Sequence, residues 1–260
     1  MIHTGIMANI FICFLLIWNN SMQVGFEKHS TPLLRQIFID SVQFSEFTYS
    51  NENRISEEKT KYLYMKYIYN DKNQIISSIT YEDPSIVSSD SHILEAGKLR
   101  KEWINPESPT NGKQKAFEYN IQGQLMKMYE LSGYCTYIYD SKNRICSQVF
   151  YQDEKVNRRI EYKYDKRGNL IKMCNYKIDE YGKLFLITSN EYEFDNKINP
   201  FKSFGIMMMP GKYTNCNNIT QEVYTLYIMD NQKQIIKNYY EYNEMGYPVS
   251  VNKNMKYIYK

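Results

Sequence analysis

Residues Glu161 to Met173 read E-Y-K-Y-D-K-R-G-N-L-I-K-M, two short alternating runs joined by a turn signal. Strand side chains alternate between faces, so Tyr162 and Tyr164 share a side. Asp165 and Gly168 bracket the turn, the first bonding nearby backbone and the second accepting positive φ. With Gly168 as the left-handed residue of a bulged turn, Asp165 stands opposite Asn169, and Tyr164 opposite Leu170. The unit Y-x-Y-D-x-x-G-x-L is an instruction for a hairpin. It carries no catalytic constellation.

The chain repeats this instruction. Copies end at Ile55 (F-T-Y-S-N-E-N-R-I), Ile75, Leu125, Ile145 and Leu184, and weaker ones start at Tyr192, Tyr227 and Tyr240. The expected turn residues are Asp140 with Asn143, Asp165 with Gly168, Asp179 with Gly182, and Gly123 and Gly246 in their own copies. Where glycine is missing, Asn53, Asn73 and Asn143 hold its place, asparagine being the next residue to tolerate the left-handed conformation. Outside two breaks, neighbouring copies stand about 13 to 25 residues apart, the spacing of successive hairpins in all-β arrays. One hairpin is marginal alone, so the copies must pair edge to edge. The expected fold is all-β, an array of antiparallel hairpins in one long twisted or curled sheet.

Residues 83–114, with Pro84, Pro106, Pro109 and a serine run, form the first break, with a short helix expected near Leu94 to Trp103. Residues 199–219 form the second, where Ile206, Met207, Met208 and Met209 require a surface to pack on. Residues 7–18 are apolar over a length that suits a signal-peptide core and is too short for a transmembrane helix. The organisation read from the sequence is therefore a signal-like segment at 1–22, a lead-in at 23–45 and one repeat domain over 46–260. The flanking residues lack basic side chains and a small-x-small cleavage site, and the alternative is a buried apolar N-terminal element. Cys13 lies inside the apolar run, so no lipobox supports a lipid anchor. The mature chain is expected to carry no transmembrane span.

Taken together, the Y-x-Y-D-x-x-G-x-L units resemble YD repeats of the RHS type. The order of E-Y-E-F-D-N-K-I-N-P-F (Glu191 to Phe201), N-N-I-T (Asn217 to Thr220) and Y-N-E-M-G-Y-P-V-S (Tyr242 to Ser250) resembles a family of exported bacterial cell-envelope proteins of lipoprotein type, known as a domain of unknown function. The resemblance implies a surface-located sheet of hairpins and supplies no catalytic residues.

Chemistry has few candidates. His92 is the one histidine beyond the N-terminal region and belongs to no G-x-S-x-G or H-E-x-x-H pattern, so a catalytic base there is a remote alternative to an exposed loop histidine. Asp140, Asp165, Asp179, Asp195 and Asp230 recur at one place, but that place is the first turn position, where aspartate bonds backbone. No calcium loop is spelled. No metal and no cofactor is expected. Cys135, Cys146, Cys174 and Cys216 allow three disulfide connectivities. If Asp140 faces Arg144, the odd-numbered residues Tyr137, Tyr139, Ile145 and Ser147 share a face with Cys135 while Cys146 takes the other, so those two should not bond. The chain has 26 tyrosines against 12 phenylalanines and 2 tryptophans. Tyr137, Tyr139, Tyr162, Tyr164, Tyr192, Tyr240 and Tyr242 would align into a stripe that either packs as a sheet face or stacks on sugar rings. With 32 basic and 29 acidic residues the formal net charge is +3, too balanced for a general nucleic-acid or membrane-surface binder. The functional expectation is a non-enzymatic exported scaffold or adhesion protein, with a cell-surface glycan or an envelope protein as partner. The alternative is a glycan-binding module using exposed tyrosine rows.

Overall fold

The protein is described by a computed structural model over residues 31–60, 63–82, 112–228 and 230–260. His92, the expected helix at Leu94 to Trp103 and the signal-like segment 1–22 lie outside the described residues. The strands are β1 (Leu34–Ile39), β2 (Val42–Tyr49), β3 (Ile55–Thr60), β4 (Leu63–Tyr69), β5 (Ile75–Glu82), β6 (Lys113–Tyr119), β7 (Leu125–Glu130), β8 (Gly133–Tyr139) and β9 (Ile145–Gln152). Then follow β10 (Lys155–Tyr164), β11 (Leu170–Ile178), β12 (Leu184–Phe194), β13 (Ile219–Leu226), β14 (Gln232–Lys237), β15 (Tyr240–Tyr242), β16 (Pro248–Val251) and β17 (Met255–Tyr259).

All 17 belong to one antiparallel, unclosed sheet. Each strand from β1 to β13 pairs with its successor. At the other side β15 pairs with β16, β16 with β17, and β17 returns to β1. Strands β14 and β15 follow one another through Asn238 and Tyr239 with no ladder between them. Asn238 donates its N–H to the Thr220 carbonyl in β13, while the Tyr239 carbonyl accepts from Asn252 beyond β16, both at 2.8 Å. This dipeptide spans the seam of the sheet. The lead-in read at 23–45 thus supplies β1, which pairs with β17, and the start of β2. The first break ends before Lys113, where β6 begins.

The hairpin turns follow their residues. Asp165 N–H donates to the Asn169 carbonyl at 2.9 Å, and Gly168 N–H to the Asp165 carbonyl at 3.4 Å. Gly168 has φ of 93°, and Asn53, Asn73 and Asn143 have φ of 58°, 67° and 61°. The same pair of backbone bonds recurs at Asn120–Gln124, Asp140–Arg144, Asp179–Lys183 and Asn243–Tyr247, around Gly123, Asn143, Gly182 and Gly246. Of these, the Asp179 turn joins β11 to β12 and lies at the opposite rim from its neighbours. There, two-residue turns with positive φ at both positions, such as Asp40-Ser41 and Asp153-Glu154, complete the meander.

Each turn of the repeat is followed by a register shift, for example between Ile138 and Tyr139. The extra residue rotates the return strand, so that Gln148, not Ser147, stands opposite Tyr137, and Ser147 stands opposite Ile138. The expected odd-numbered face through Ser147 is corrected by this bulge, which inserts one residue after Ile145. On β3 the same shift puts Glu58 opposite Phe47.

Beyond the bulge the ladder between neighbouring hairpins stops, and tyrosine hydroxyls take over. The second tyrosine of one unit donates to the carbonyl of the leucine-position residue of the unit before it. Tyr69 reaches Ile55 at 2.7 Å, Tyr119 reaches Ile75 at 2.8 Å, Tyr139 reaches Leu125 at 2.8 Å and Tyr164 reaches Ile145 at 2.6 Å. Tyr49 and Leu34, Tyr240 and Ile219, and Tyr259 and Pro248 repeat the contact. A half-buried carbonyl left without a ladder partner needs a donor, and phenylalanine could not supply one. Burial raises these phenols, Tyr69, Tyr119 and Tyr139 to about 12, so they stay protonated donors.

Two of the weak copies differ from the expected pattern. In the Tyr192 copy, Asp195 N–H donates to the Asn218 carbonyl at 3.1 Å, and Phe194 pairs with Ile219. The second break is therefore an insertion into a repeat turn, with Asn218 in the place that Asn169 has in its own turn. In the Tyr227 copy the strand ends at Leu226, and Asp230 and Asn231, with φ of 50° and 54°, make the turn. The inserted segment enters the concave side of the sheet. It opens with a 3-10 helix, Pro200–Phe204, capped by Asn199 and ended by Gly205 at φ 68°. Phe201, Phe204, Ile206, Met208 and Tyr213 join inward residues of strands from both ends of the sheet in one core. Phe204 lies 4.9 Å from Phe47, and Gln148 on β9 donates to the Met208 carbonyl at 3.0 Å. The sheet curls around this plug, and Met207 and Met209 alternate out to solvent.

Candidate functional site

The plug is held by asparagines. Asn169 accepts from the N–H groups of Cys216 and Asn217 at 2.8 and 3.0 Å and donates to Asp165 and Asn217, both at 3.0 Å. Asn215 accepts from Leu170 N–H at 2.7 Å, and Asn199 donates to the carbonyls of Lys212 and Asn215. These bonds hold the Lys212–Asn215 segment of the plug against the inner wall.

Between that segment and β1, β2, β3, β13, β15 and β17 a cavity of ≈ 270 Å³ remains. Glu58 projects into it from β3, a carboxylate at an inward position because of the bulge. Its Oε2 accepts from the Tyr213 hydroxyl at 3.2 Å. Burial raises the Glu58 pKa, against the lowering effects of the Lys212 charge and the Tyr213 hydrogen bond. Lys212 lines the cavity, packed among protein atoms yet exposed to solvent. Its ammonium lies 4.1 Å from the Phe201 ring centre and 5.1 Å from that of Tyr213. Among the described residues it forms no hydrogen bond and no ion pair, and burial lowers its pKa against the opposing attraction of Glu58. Asn215 Nδ2 is a buried donor without a partner. Glu222, across the cavity, accepts from Asn190 at 2.5 Å. The aromatic part of the wall is Phe201, Tyr240 and Tyr257.

The residues singled out in the sequence fall elsewhere. Tyr137 and Tyr162 are buried on the inward face, Tyr162 donating to Gln148 at 2.5 Å. Tyr139, Tyr164 and Tyr240 are the carbonyl donors described above. Tyr192 packs against the core, and Tyr242 donates to Asp195. All but Tyr242 belong to the core or pack against it, and of the set Tyr240 reaches the cavity. Stacked tyrosines of the other face, Tyr134 and Tyr151 at 4.7 Å, were not singled out. Asp140 and Asp165 accept turn N–H groups; burial works to raise both, but their hydrogen bonds outweigh it and hold both below the usual carboxylate range. The four cysteines are free thiols, Cys135 raised to about 11 by burial. Among the described residues no cluster suits a metal ion, and no helix is long and apolar enough to cross a membrane. Glu58, Lys212 and Asn215 were missed, because only the bulge turns Glu58 inward and only the insertion brings the other two beside it.

No protein-family model matches the chain, and no curated protein matches it. Among solved structures, a porin-like protein from Bacteroides vulgatus is similar over 88% of this chain and 99% of its own, at 10% identity and TM-score 0.42. A porin-like protein from Bacteroides uniformis is similar over 87% and 98%, at 12% identity and TM-score 0.41. The Photorhabdus luminescens Tc holotoxin pore is similar over 80% of this chain and 11% of the longer one, at 14% identity and TM-score 0.31.

Proposed function

We propose that the protein is a non-enzymatic, exported β-repeat protein of the bacterial cell envelope that acts as an interaction or adhesion scaffold. The observation that carries this reading is the employment of the repeat itself. The tyrosine hydroxyls at each unit boundary hold carbonyls and the turn carboxylates hold N–H groups, so the abundant polar side chains are committed to architecture. The apolar run near the N-terminus and the resemblance of the repeat units support export. Strand β14 pairs with β13 on one side and is exposed at every residue, which suits a protein that meets others at its surface.

The test joins location to activity. With an epitope placed in the Asp153-Glu154 turn, fractionated cells should show the protein in the envelope or the medium; accumulation in the cytoplasm would remove the export reading. Purified protein screened on ester, peptide, glycoside and phosphoester substrates should give no turnover. A hydrolysis that disappears on substituting His92 or a turn aspartate would overturn the non-enzymatic reading.

A further inference from the structure

The interior cavity contains the parts of a binding site that the architecture does not consume. Its wall carries a carboxylate, an ammonium and aromatic rings, each fixed by a different element. Glu58 is set by the β3 bulge, Lys212 by the plug, and Tyr257 by β17. Hydrogen bonding explains Glu222, which is taken by Asn190, and Tyr240, which is taken by the Ile219 carbonyl. It does not explain Lys212, whose three donors find no acceptor, nor the amide nitrogen of Asn215, which is 1% exposed and unpartnered. The buried Asn215 nitrogen lacks an acceptor at a cost in free energy, whereas the exposed Lys212 ammonium keeps water, which a ligand hydroxyl could replace.

We propose that this cavity binds a single small polyhydroxylated ring, of monosaccharide class. Opposite charges in one wall disfavour a strongly ionic ligand, since an anion would meet Glu58 and a cation would meet Lys212. A hydroxyl group suits both, donating to Glu58 and accepting from Lys212, and adjacent hydroxyls on one ring provide the two roles side by side. The ring's C–H face then rests on Tyr257, the Phe201 ring being taken by the Lys212 ammonium. The volume of ≈ 270 Å³ is below the range usual for drug-sized ligands, which fits one sugar ring. This site differs from the tyrosine row read from the sequence, two of whose members, Tyr137 and Tyr162, are buried.

The experiment is saturation-transfer NMR on the full chain with glucose, galactose, mannose and N-acetylglucosamine at millimolar concentration, paired with thermal melts. At least one sugar is expected to receive saturation and to raise the melting temperature. Lys212→Met and Glu58→Gln should each weaken that binding about tenfold, the loss of one good hydrogen bond. Lys237→Met on β14 should leave it unchanged. Near-UV circular dichroism identifies a variant that has lost its fold. Crystals soaked in the responding sugar keep the proposal testable in that event, with density for a ring against Lys212 and Glu58 expected. Silence from every sugar, transfer that survives both cavity variants, or ordered water alone in the soaked cavity would each overturn the proposal.

Discussion

Single residues set the local geometry, and their contributions separate cleanly. Gly168 holds φ of 93°, and a Cβ there would meet only Cys216 Sγ at 3.8 Å, so Gly168→Ala tests backbone conformation without a clash. Its expected cost is about 1 kcal/mol. Gly133 is a different case, because a Cβ would lie 2.1 Å from the Tyr151 carbonyl oxygen on the neighbouring strand. Gly133→Ala must displace backbone, and a loss of about 3 kcal/mol or more is expected. Urea melts of the two variants should fall in that order; equal losses would mean the β8–β9 approach is looser than described. The tyrosine ladder yields a second comparison. Tyr139→Phe and Tyr164→Phe each strand a carbonyl and should cost about 1 kcal/mol. Tyr181→Phe, at a position 86% exposed, should cost nothing measurable. Indistinguishable melts for the three would mean the hydroxyl-to-carbonyl bonds add nothing to stability.

At the level of elements, the turn at Asp165–Asn169 does two jobs, closing its hairpin and gripping the plug. Asn169→Ala should leave the N–H groups of Cys216 and Asn217 without acceptors, at about 3 kcal/mol, well above the cost of an ordinary turn variant. Amide hydrogen exchange should then rise through residues 199–218 before it rises in β10 and β11; uniform acceleration would indicate that the plug is not held from this turn. These relationships also mark what the sequence could disclose. The pairing of Tyr164 with Leu170 and the left-handed asparagines were legible, since local turn chemistry sets them. The inward placement of Glu58 was not, because a bulge changes the facing of everything after it by one residue. Nor was the fate of Asp195, whose turn partner Asn218 follows only after the inserted plug. The role of the second tyrosine was half legible: its place in the sheet could be read, whereas its acceptor belongs to the preceding unit and exists only after the hairpins dock.

For the whole molecule, pH acts through two opposed sets of carboxylates. Glu58 is raised when folded, so its folded form binds a proton more readily than the unfolded chain; stability falls as pH rises from the ordinary carboxylate value near 4 through its raised one. The depressed turn aspartates work in reverse, their stability being lost as pH falls below about 4. Glu58→Gln should therefore gain melting temperature relative to the parent between pH 4 and pH 7, and a gap that narrows over that interval would contradict the burial of this carboxylate. The pairing of β1 with β17, and the bond from Lys260 N–H to the Leu33 carbonyl at 3.0 Å, has a kinetic meaning. A ribosome delivers the first strand long before the last, and at usual elongation rates the wait is on the order of tens of seconds. Throughout that interval the edge of β1 is an open template for any passing strand. Nascent chains halted before Met255 should aggregate or load onto holding chaperones, while a circular permutant opened between Asn238 and Tyr239, where no ladder joins β14 to β15, makes β17 and β1 neighbours in synthesis without parting another strand pair and should emerge faster and cleaner.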